Sequence, residues 1–284
     1  MNMPVLKIRF TPGLGNNLFQ YVFARLVAEK QHMKLSSPGI PELGINKSNI
    51  SLKNGFPLKI IRVTSKTRKK SDNVFHKYLD KKLEKKRNIF LFGYFEDFTI
   101  YKSHLKRIRS WFPEVKKTNS EDVVLHLRLQ NRVVQENHFF NFPPIGSYSE
   151  ALKAFDFSRL HIVTDCEKWS HIGKKDVSLL RKKYPPKTNN YISAKKSIEY
   201  MNSLVDELAI YNPIIHHNKK FIDDFNFIRS FDKILINNST FAWWAATLSK
   251  ASKIGVYGPW KPNKGKIRNK NLGQTNYPGW FSWS

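Results

Sequence analysis

The sequence has almost no cysteine. Cys166 is the single cysteine in 284 residues. One cysteine cannot form an intrachain disulfide bond, and it cannot supply a cysteine-based zinc site. The composition therefore fits a reducing compartment.

Long apolar runs are missing as well. No window approaches the roughly 18 uninterrupted apolar residues of a membrane-spanning helix. The opening stretch, MNMPVLKIRF, lacks the charged region and the apolar region of a signal peptide. These two absences predict a soluble, cytoplasmic protein.

Acidic residues are scarce. The chain has 22 Asp and Glu against 49 Lys and Arg, a formal net charge of +27. This balance favours polyanionic partners, such as nucleic acid, an anionic membrane face or an acidic glycan. A lysine-rich solvated surface is the alternative, because the basic residues are mostly lysines scattered along the chain. The basic runs lack interleaved aromatic residues, which argues against a base-stacking platform.

Several catalytic signatures are also absent from the sequence. There is no Asp-x-Asp pair of the kind that holds a divalent ion in many nucleotide-sugar enzymes, and no Walker loop. No Ser-His-Asp or Cys-His arrangement stands out, and His216-His217 lacks ligand spacing to a partner. The sequence therefore predicts no metal site and no cofactor.

The chain does contain short apolar runs that alternate with helical patterns. Apolar residues make up 40% and aromatic residues 14% of it, enough for a packed core. Strands are predicted over residues 5–10, 88–94, 123–127, 160–164, 214–215, 234–236 and 254–257, with a weaker candidate at Tyr191–Ile192. Helices are predicted from Leu18, over 102–112, and after Thr240. This alternation predicts two doubly wound α/β domains.

A polar, proline-led stretch at residues 113–122 is the candidate linker. It divides the chain into a domain over residues 1–117 and a domain over residues 118–284. No internal repeat is visible.

The stretch KILINNSTFAWWAATLSK, residues 233–250, has the pattern of a strand, a polar turn and a helix start. A helix that follows a parallel strand directs its free backbone N–H groups at the edge of the sheet where anions bind. Asn238, Ser239 and Thr240 would add polar side chains there. The alternative is an ordinary capped helix with two core tryptophans.

A second polar turn, GLGNN, lies between the first strand and the first helix. Gly13 and Gly15 would let the backbone approach a ligand closely, and Asn16 and Asn17 offer donors and acceptors. A simple tight turn is the alternative interpretation.

Charged residues also fall at predicted strand ends. His126 and Arg128 lie two apart, so we expect them on one face of their strand, near the ligand crevice of an α/β sheet. Arginine can clamp a phosphate with two bonds, and histidine can bond a base or ribose. Asp165 ends the next strand, and Asp224 lies in a helical stretch upstream of Ser239. Each of these acids could equally be a surface or capping residue.

In order, these segments resemble the α-1,2-fucosyltransferase family, glycosyltransferase family 11. GLGNNLFQYVFARLVAEK is similar to its GLGNQLFQYA segment, and GYFED at residues 93–97 to its GYFQ segment. HLR at 126–128 matches HxRRGD, VTDCEKW at 163–169 matches FSDDxEW, and INNSTFAWWAATL at 236–248 matches SNSTFSWWAAWL. KIGVYGPW resembles a family strand that ends in proline and tryptophan.

The resemblance implies a GT-B fold, two Rossmann-like domains facing each other across a cleft. It implies inverting, metal-independent transfer of L-fucose from GDP-fucose to a hydroxyl of a glycan acceptor. Arg128 would hold the β-phosphate, and Ser239 and Thr240 the diphosphate. His126 and Asp224 would contact the guanine end. The cleft would be lined from the acceptor side by residues 13–17 and by Gln20.

The sequence departs from the family pattern at Leu129, which replaces the second arginine, and at Gln130-Asn131, which replace Gly-Asp. A glycosyltransferase that uses another UDP- or GDP-linked sugar therefore stays open. A basic nucleic-acid-binding protein and a degenerate transferase that binds glycan without turnover stay open as well. The general base is not identified by the motifs. Glu96, Asp97 and Glu136 are the candidates by chemistry.

Overall fold

The computed structural model describes residues 3–62, 78–79, 83, 86–96, 98–130, 132–133, 143–166, 189–216, 220–257 and 279–283. The chain divides into two compact units, the first ending at Pro113 and the second beginning at Glu114. The boundary expected from the sequence, between residues 117 and 118, lies a few positions later.

The first unit has a four-stranded parallel sheet in the order β2-β1-β4-β3. Its strands are β1 (Val5–Ile8), β2 (Lys34–Ser36), β3 (Leu58–Arg62) and β4 (Asn88–Phe92). Its helices are α1 (Leu14–Lys30), α2 (Phe98–Tyr101) and α3 (Leu105–Arg109), with single 3₁₀ turns at Pro41–Leu43 and Lys102–His104. The buried stripe of α1 contains the apolar residues whose helical spacing predicts it: Leu18, Phe19, Val22, Phe23, Leu26 and Val27.

The second unit has a six-stranded sheet, also parallel throughout. Its strands are β5 (Asn119–Leu127), β6 (Leu160–Thr164), β7 (Ile214–His216), β8 (Phe231–Ile236), β9 (Lys253–Tyr257) and β10 (Trp280–Trp283). Its helices are α4 (Ser147–Leu152), α5 (Asn189–Glu207), α6 (Phe221–Arg229) and α7 (Thr240–Leu248), with a 3₁₀ turn at Ala209–Tyr211.

The strand order of the second sheet is β7-β6-β5-β8-β9-β10. Numbered within the unit, this is 3-2-1-4-5-6, the order of dinucleotide-binding Rossmann sheets. The α/β class and the Rossmann-like units expected of a GT-B protein are therefore confirmed. The order reverses between β5 and β8, and ligands of such sheets bind outside the carboxyl ends of the strands at that point.

Side chains of β5 alternate between two cores. Leu125, Leu127 and Leu129 pack with residues of α4 and α5 in one buried cluster. His126 lies on the other face, where its ring is 5.6 Å from that of Phe241 in α7. The alternation follows from the two-residue period of a strand.

The structure corrects four expectations about the elements. Tyr191–Ile192 belongs to α5, not to a strand. Helix α1 begins at Leu14 rather than Leu18. The expected linker is shorter, because β5 begins at Asn119 and pairs there with Phe231. Strands β2, β3 and β10 were not expected. Within the described ranges, no helix has the length and apolar character needed to cross a bilayer.

Candidate functional site

The strand-order reversal of the second sheet brings together two polar segments that are far apart in sequence. Arg128 directly follows β5, and Asn237 directly follows β8. The backbone N–H of Arg128 donates to Oδ1 of Asn237 over 3.1 Å, and Asn237 is buried. The turn that precedes α7 therefore touches the chain that carries Arg128.

The Arg128 side chain forms an ion pair with Asp165, the residue after β6. The other carboxylate oxygen of Asp165 accepts from the backbone N–H of Leu129 over 2.7 Å. Burial raises the pKa of Asp165, while the adjacent Arg128 guanidinium and the Leu129 N–H act to lower it. Both carboxylate oxygens are thus used by the chain, so Asp165 orients Arg128 instead of presenting a free carboxylate to a ligand. The Arg128 side chain keeps 36% of its surface exposed.

His126 is buried at 4% exposure on the β5 face that meets α7. Desolvation, with a smaller effect of the Arg128 charge, lowers the pKa of His126 to about 3. The imidazole is therefore neutral at ordinary pH. Its Nδ1 is buried and has no hydrogen-bond partner among the described residues, and a buried polar atom without a partner is uncommon in a folded protein.

Ser239 is the N-cap of α7. Its hydroxyl oxygen accepts from the backbone N–H of Ala242 over 3.3 Å, and the residue is buried. The predicted helix start is confirmed, and Ser239 also has the capping role that competes with ligand binding. Asn238 is buried beside it, whereas Thr240 is half-buried in the first turn. Trp243 and Trp244 are fully buried and pack edge to face, as core residues.

Asp224 lies in the first turn of α6 and is half-buried. This helix runs toward the amino end of β8, so its first turn lies near the carboxyl edge of the sheet. The next residue, Phe225, contacts Phe241 edge to face with ring centroids 5.2 Å apart. Phe241 in turn neighbours His126. The aromatic contacts thus place Asp224 on the same side of the sheet as the histidine.

A polar network that reaches Asn237 has no signal in the sequence. The Tyr200 hydroxyl donates to the Pro143 carbonyl over 2.6 Å and also lies 3.0 Å from the Tyr148 hydroxyl. The Tyr148 side chain interacts in turn with Asn237, and burial raises its pKa well above the ordinary value. Asn237 was visible only as one of four capping-type residues, and no sequence signal links it to Tyr148.

Two of the three positions that depart from the family pattern have structural explanations. Leu129 is fully buried in the core cluster with α4 and α5, where an arginine would leave a charge without solvent. Gln130 has a φ of 34°, in the left-handed region that glycine adopts readily. The backbone there keeps the conformation that the family's glycine would favour.

The GLGNN segment of the first unit forms the start of α1. Gly13 is the N-cap with a φ of 100°, and its carbonyl accepts from the Asn17 N–H over 3.0 Å. Gly15, Asn16 and Asn17 are therefore helical residues rather than a loop, which corrects the expectation. A Cβ at Gly13 would have only the Asn16 side-chain nitrogen within 4 Å, at 3.8 Å, so this end of the helix is open.

Gln20 is fully buried and holds two loops together. Its Nε2 donates to the Gly93 carbonyl over 2.7 Å and to Thr11 Oγ1 over 3.1 Å, and its Oε1 accepts from the Thr11 N–H. Because its amide is used in these bonds, Gln20 does not line a ligand site as expected. It joins the loops after β1 and β4, which brings Glu96 to the edge of the sheet where α1 begins.

Two candidate bases, Asp97 and Glu136, lie outside the described residues, as does Asn131. Glu96 is described and half-buried. Within the described ranges, no three His, Cys, Asp or Glu side chains come together in a way that could hold a metal ion. Cys166 is buried, and burial raises the pKa of its thiol to about 12, so it is not a nucleophile.

No family model and no curated protein sequence matches the chain. It aligns with the structure of NodZ alpha-1,6-fucosyltransferase soaked with GDP-fucose at 11% identity and a TM-score of 0.43, covering 87% of this chain and 93% of that one. It aligns with fucosyltransferase NodZ from Bradyrhizobium at 10% identity and a TM-score of 0.42, covering 88% of this chain and 94% of that one. The alignment with POFUT1 in complex with GDP has 10% identity and a TM-score of 0.38, and it covers 87% of this chain and 95% of that one. Likenesses this distant do not establish a family, so the α-1,2-fucosyltransferase resemblance stays a prediction.

Proposed function

We propose that this protein is a glycosyltransferase that transfers L-fucose from GDP-fucose to a hydroxyl of a glycan. The observation that carries the proposal is the meeting of Arg128 and the Asn237–Thr240 turn at the strand-order reversal of a Rossmann sheet. This is where such a sheet binds a nucleotide. The sugar itself is proposed from the resemblance of the sequence to the α-1,2-fucosyltransferase family.

The diphosphate of the donor would bind between Arg128 and the first turn of α7. Free backbone N–H groups and the helix dipole favour an anion at a helix N-terminus. The guanidinium of Arg128, held by Asp165, adds a positive charge whose position is fixed. Transfer of the sugar leaves negative charge on the diphosphate, and donors already aimed at that charge lower the barrier. In this proposal Arg128 performs that task without a metal ion.

His126 and Asp224 would contact the nucleoside end. A neutral imidazole with an unused Nδ1 suits a hydrogen bond to a ribose or base group. The Asp224 carboxylate is suited to the N1–H and N2–H groups of guanine, because it accepts bonds and does not donate them. Asn238 is a further polar residue of the same turn.

The acceptor would bind to the first unit, near Gly13 and Glu96. Inverting transfer needs one group that removes the proton of the acceptor hydroxyl. Glu96 is our candidate base, because it follows β4 and so lies near the carboxyl edge of the first sheet. Asp97 and Glu136 stay candidates from the sequence.

A donor panel tests the proposal directly. The full chain is incubated with GDP-fucose, GDP-mannose, UDP-glucose and UDP-galactose, each with a mixed glycan acceptor pool, and the release of GDP or UDP is measured. The proposal predicts release from GDP-fucose, and none above background from the UDP-sugars. Turnover of a UDP-sugar alone would replace fucose with another donor. If nothing is turned over and GDP does not bind, the protein is not a transferase.

A further inference from the structure

The edge of the first sheet at which its strands begin is rich in lysine. Lys34 is the first residue of β2 and pairs in register with Val5, the first residue of β1. Lys30 is the last residue of α1, the helix that ends beside this edge. Two lysines therefore lie where α1 ends and β2 begins.

Two more lysines lie at the other half of the same edge. Asn88 opens β4, and Lys86 precedes it by two positions. The Asn88 side-chain nitrogen donates to the Lys53 carbonyl over 2.8 Å, while its Oδ1 accepts from the Val5 N–H over 2.9 Å. Asn88 thus ties Lys53 and the start of β1 to one place. The four residues Lys30, Lys34, Lys53 and Lys86 form the basic edge.

The charge of the basic edge is not compensated within the part of the chain that the structure describes. All four lysines are exposed, and none forms an ion pair with a described carboxylate. Among the described carboxylates of this unit, Glu29 is occupied by Arg25 at 3.0 Å and by Arg107 at 2.5 Å. Glu42 and Glu96 follow β2 and β4, at the opposite edge of the sheet.

Exposed aliphatic side chains lie next to these lysines. Leu58 is 51% exposed and Ile60 is 59% exposed, on the outer strand β3. Leu58 pairs in register with Asn88, so it begins at the same edge. Residues two apart in a strand share a face, so Leu58 and Ile60 form one apolar patch beside the basic edge.

We propose that the basic edge, with Leu58 and Ile60, docks the protein on an anionic phospholipid surface. Exposed lysines are attracted to anionic headgroups, and adjacent aliphatic side chains gain by entering the interface. A single-stranded nucleic acid would favour aromatic stacking partners beside the lysines, and a duplex would contact the lysines alone. Neither would use the exposed aliphatic pair. The edge of this sheet that carries Gly13 and Glu96 is the opposite one, so docking leaves it open to an acceptor.

Vesicle flotation of the full chain tests this proposal. Vesicles of phosphatidylcholine alone are compared with vesicles that contain about 30% phosphatidylserine, at about 0.1 M and 0.5 M salt. We expect binding to the anionic vesicles only, and weaker binding at high salt. Lys30→Glu with Lys34→Glu should weaken partitioning by about tenfold or more. Lys53→Glu with Lys86→Glu should weaken partitioning similarly. Agreement between the two pairs would show that the effect does not come from local misfolding in one of them.

The matched control is Lys195→Glu with Lys196→Glu, two exposed lysines of α5 in the second unit. It should keep at least half of the wild-type binding. Leu58→Ser with Ile60→Ser should reduce vesicle binding and leave its salt dependence unchanged. An equal loss in the control would show that only total charge matters, and would overturn the proposal. So would tighter binding to a short oligonucleotide than to anionic vesicles, or no vesicle binding at low salt.

Discussion

The backbone N–H of Arg128 donates to the side-chain oxygen of Asn237, although 109 positions separate the two residues. The bond joins the end of β5 to the turn that opens α7, at the place where the strand order reverses. In the proposed mechanism, Arg128 and the first turn of α7 both hold the donor diphosphate. The pairing of β5 with β8 sets their approximate placement, and this amide adds a direct bond between the two segments.

Asn237→Ala should lower both stability and transfer. The substitution leaves the partly buried Arg128 N–H without its acceptor, which costs about 1–3 kcal/mol of unfolding free energy. We expect kcat/KM to fall at least tenfold. The control is Asn119→Ala at the opposite end of β5, where the amide bonds Ser230 over 3.1 Å. It should lose stability without losing kcat/KM, and an equal kinetic loss there would contradict the positioning role of Asn237.

Asp165→Asn should impair transfer while preserving the fold. The amide oxygen can still accept from the Leu129 N–H, but the charge that orients Arg128 is removed. Because burial disfavours the charged carboxylate and raises the pKa of Asp165, the neutral amide should cost little unfolding free energy. Transfer should fall about tenfold or more, as measured by initial rates. Asp156→Asn, at an exposed aspartate of the same unit, should have no effect, and unchanged rates in Asp165→Asn would remove the residue from the site.

Ser239→Asp separates capping from ligand binding. Aspartate can cap α7 as serine does, and the thermal midpoint shows what desolvation of its charge at this buried position costs. The added negative charge would repel a diphosphate, so GDP affinity should fall at least tenfold. Ser239→Ala should lose about 1 kcal/mol of stability and keep most of its GDP affinity. Normal GDP affinity in Ser239→Asp, measured by calorimetry, would place the diphosphate elsewhere.

Stability should fall as the pH drops below about 6.5. Burial lowers the pKa of His126 to about 3 and that of His216 to about 4, against an ordinary value of 6.5. Below pH 6.5 the unfolded chain binds protons that the folded chain does not, so each histidine opposes folding by up to about 1.4 kcal/mol per pH unit. Urea titrations at pH 7, 6 and 5 measure this slope.

His216→Phe should make the unfolding free energy less dependent on pH, because one fewer proton is taken up on unfolding. The phenylalanine keeps a ring against Phe227, whose centroid lies 4.4 Å from that of His216, but it does not titrate. It also loses the bond to His161, 2.9 Å away, which lowers stability. His32→Asn, at an exposed histidine, is the control. A slope in His216→Phe equal to that of wild type would contradict the assignment.

Much of the fold follows from local patterns in the sequence. The apolar runs at β5, β6, β8 and β9, and the spacing in α1, are decided by burial and period. Strand β2 has only three residues, and β3 (LKIIR) mixes charged and apolar residues without a clear period. Two apolar residues such as Tyr191 and Ile192 do not distinguish a strand from one turn of a helix, so the strand predicted there is wrong.

The part of the site that depends on local features is also predictable from the sequence. Ser239 and Arg128 could be placed at strand ends, because strands and helix starts are local features. The pairing of Arg128 with Asp165 and the bond to Asn237 depend on strand order, which no local pattern encodes. Gln20 illustrates a different limit. Its position near a glycine turn predicts a ligand contact, whereas its amide bonds the loops after β1 and β4.

Calorimetric titration with GDP of the wild type and of Arg128→Ala tests the central claim, that the donor diphosphate binds at the reversal point of the second sheet. The variant loses charge-assisted hydrogen bonds, so Kd should rise by tenfold or more, equivalent to about 1.4 kcal/mol or more. Arg159→Ala is the matched control, at an arginine whose side chain is 70% exposed, and it should bind GDP like the wild type. An unchanged Kd in Arg128→Ala, or an equal loss in Arg159→Ala, would contradict the account.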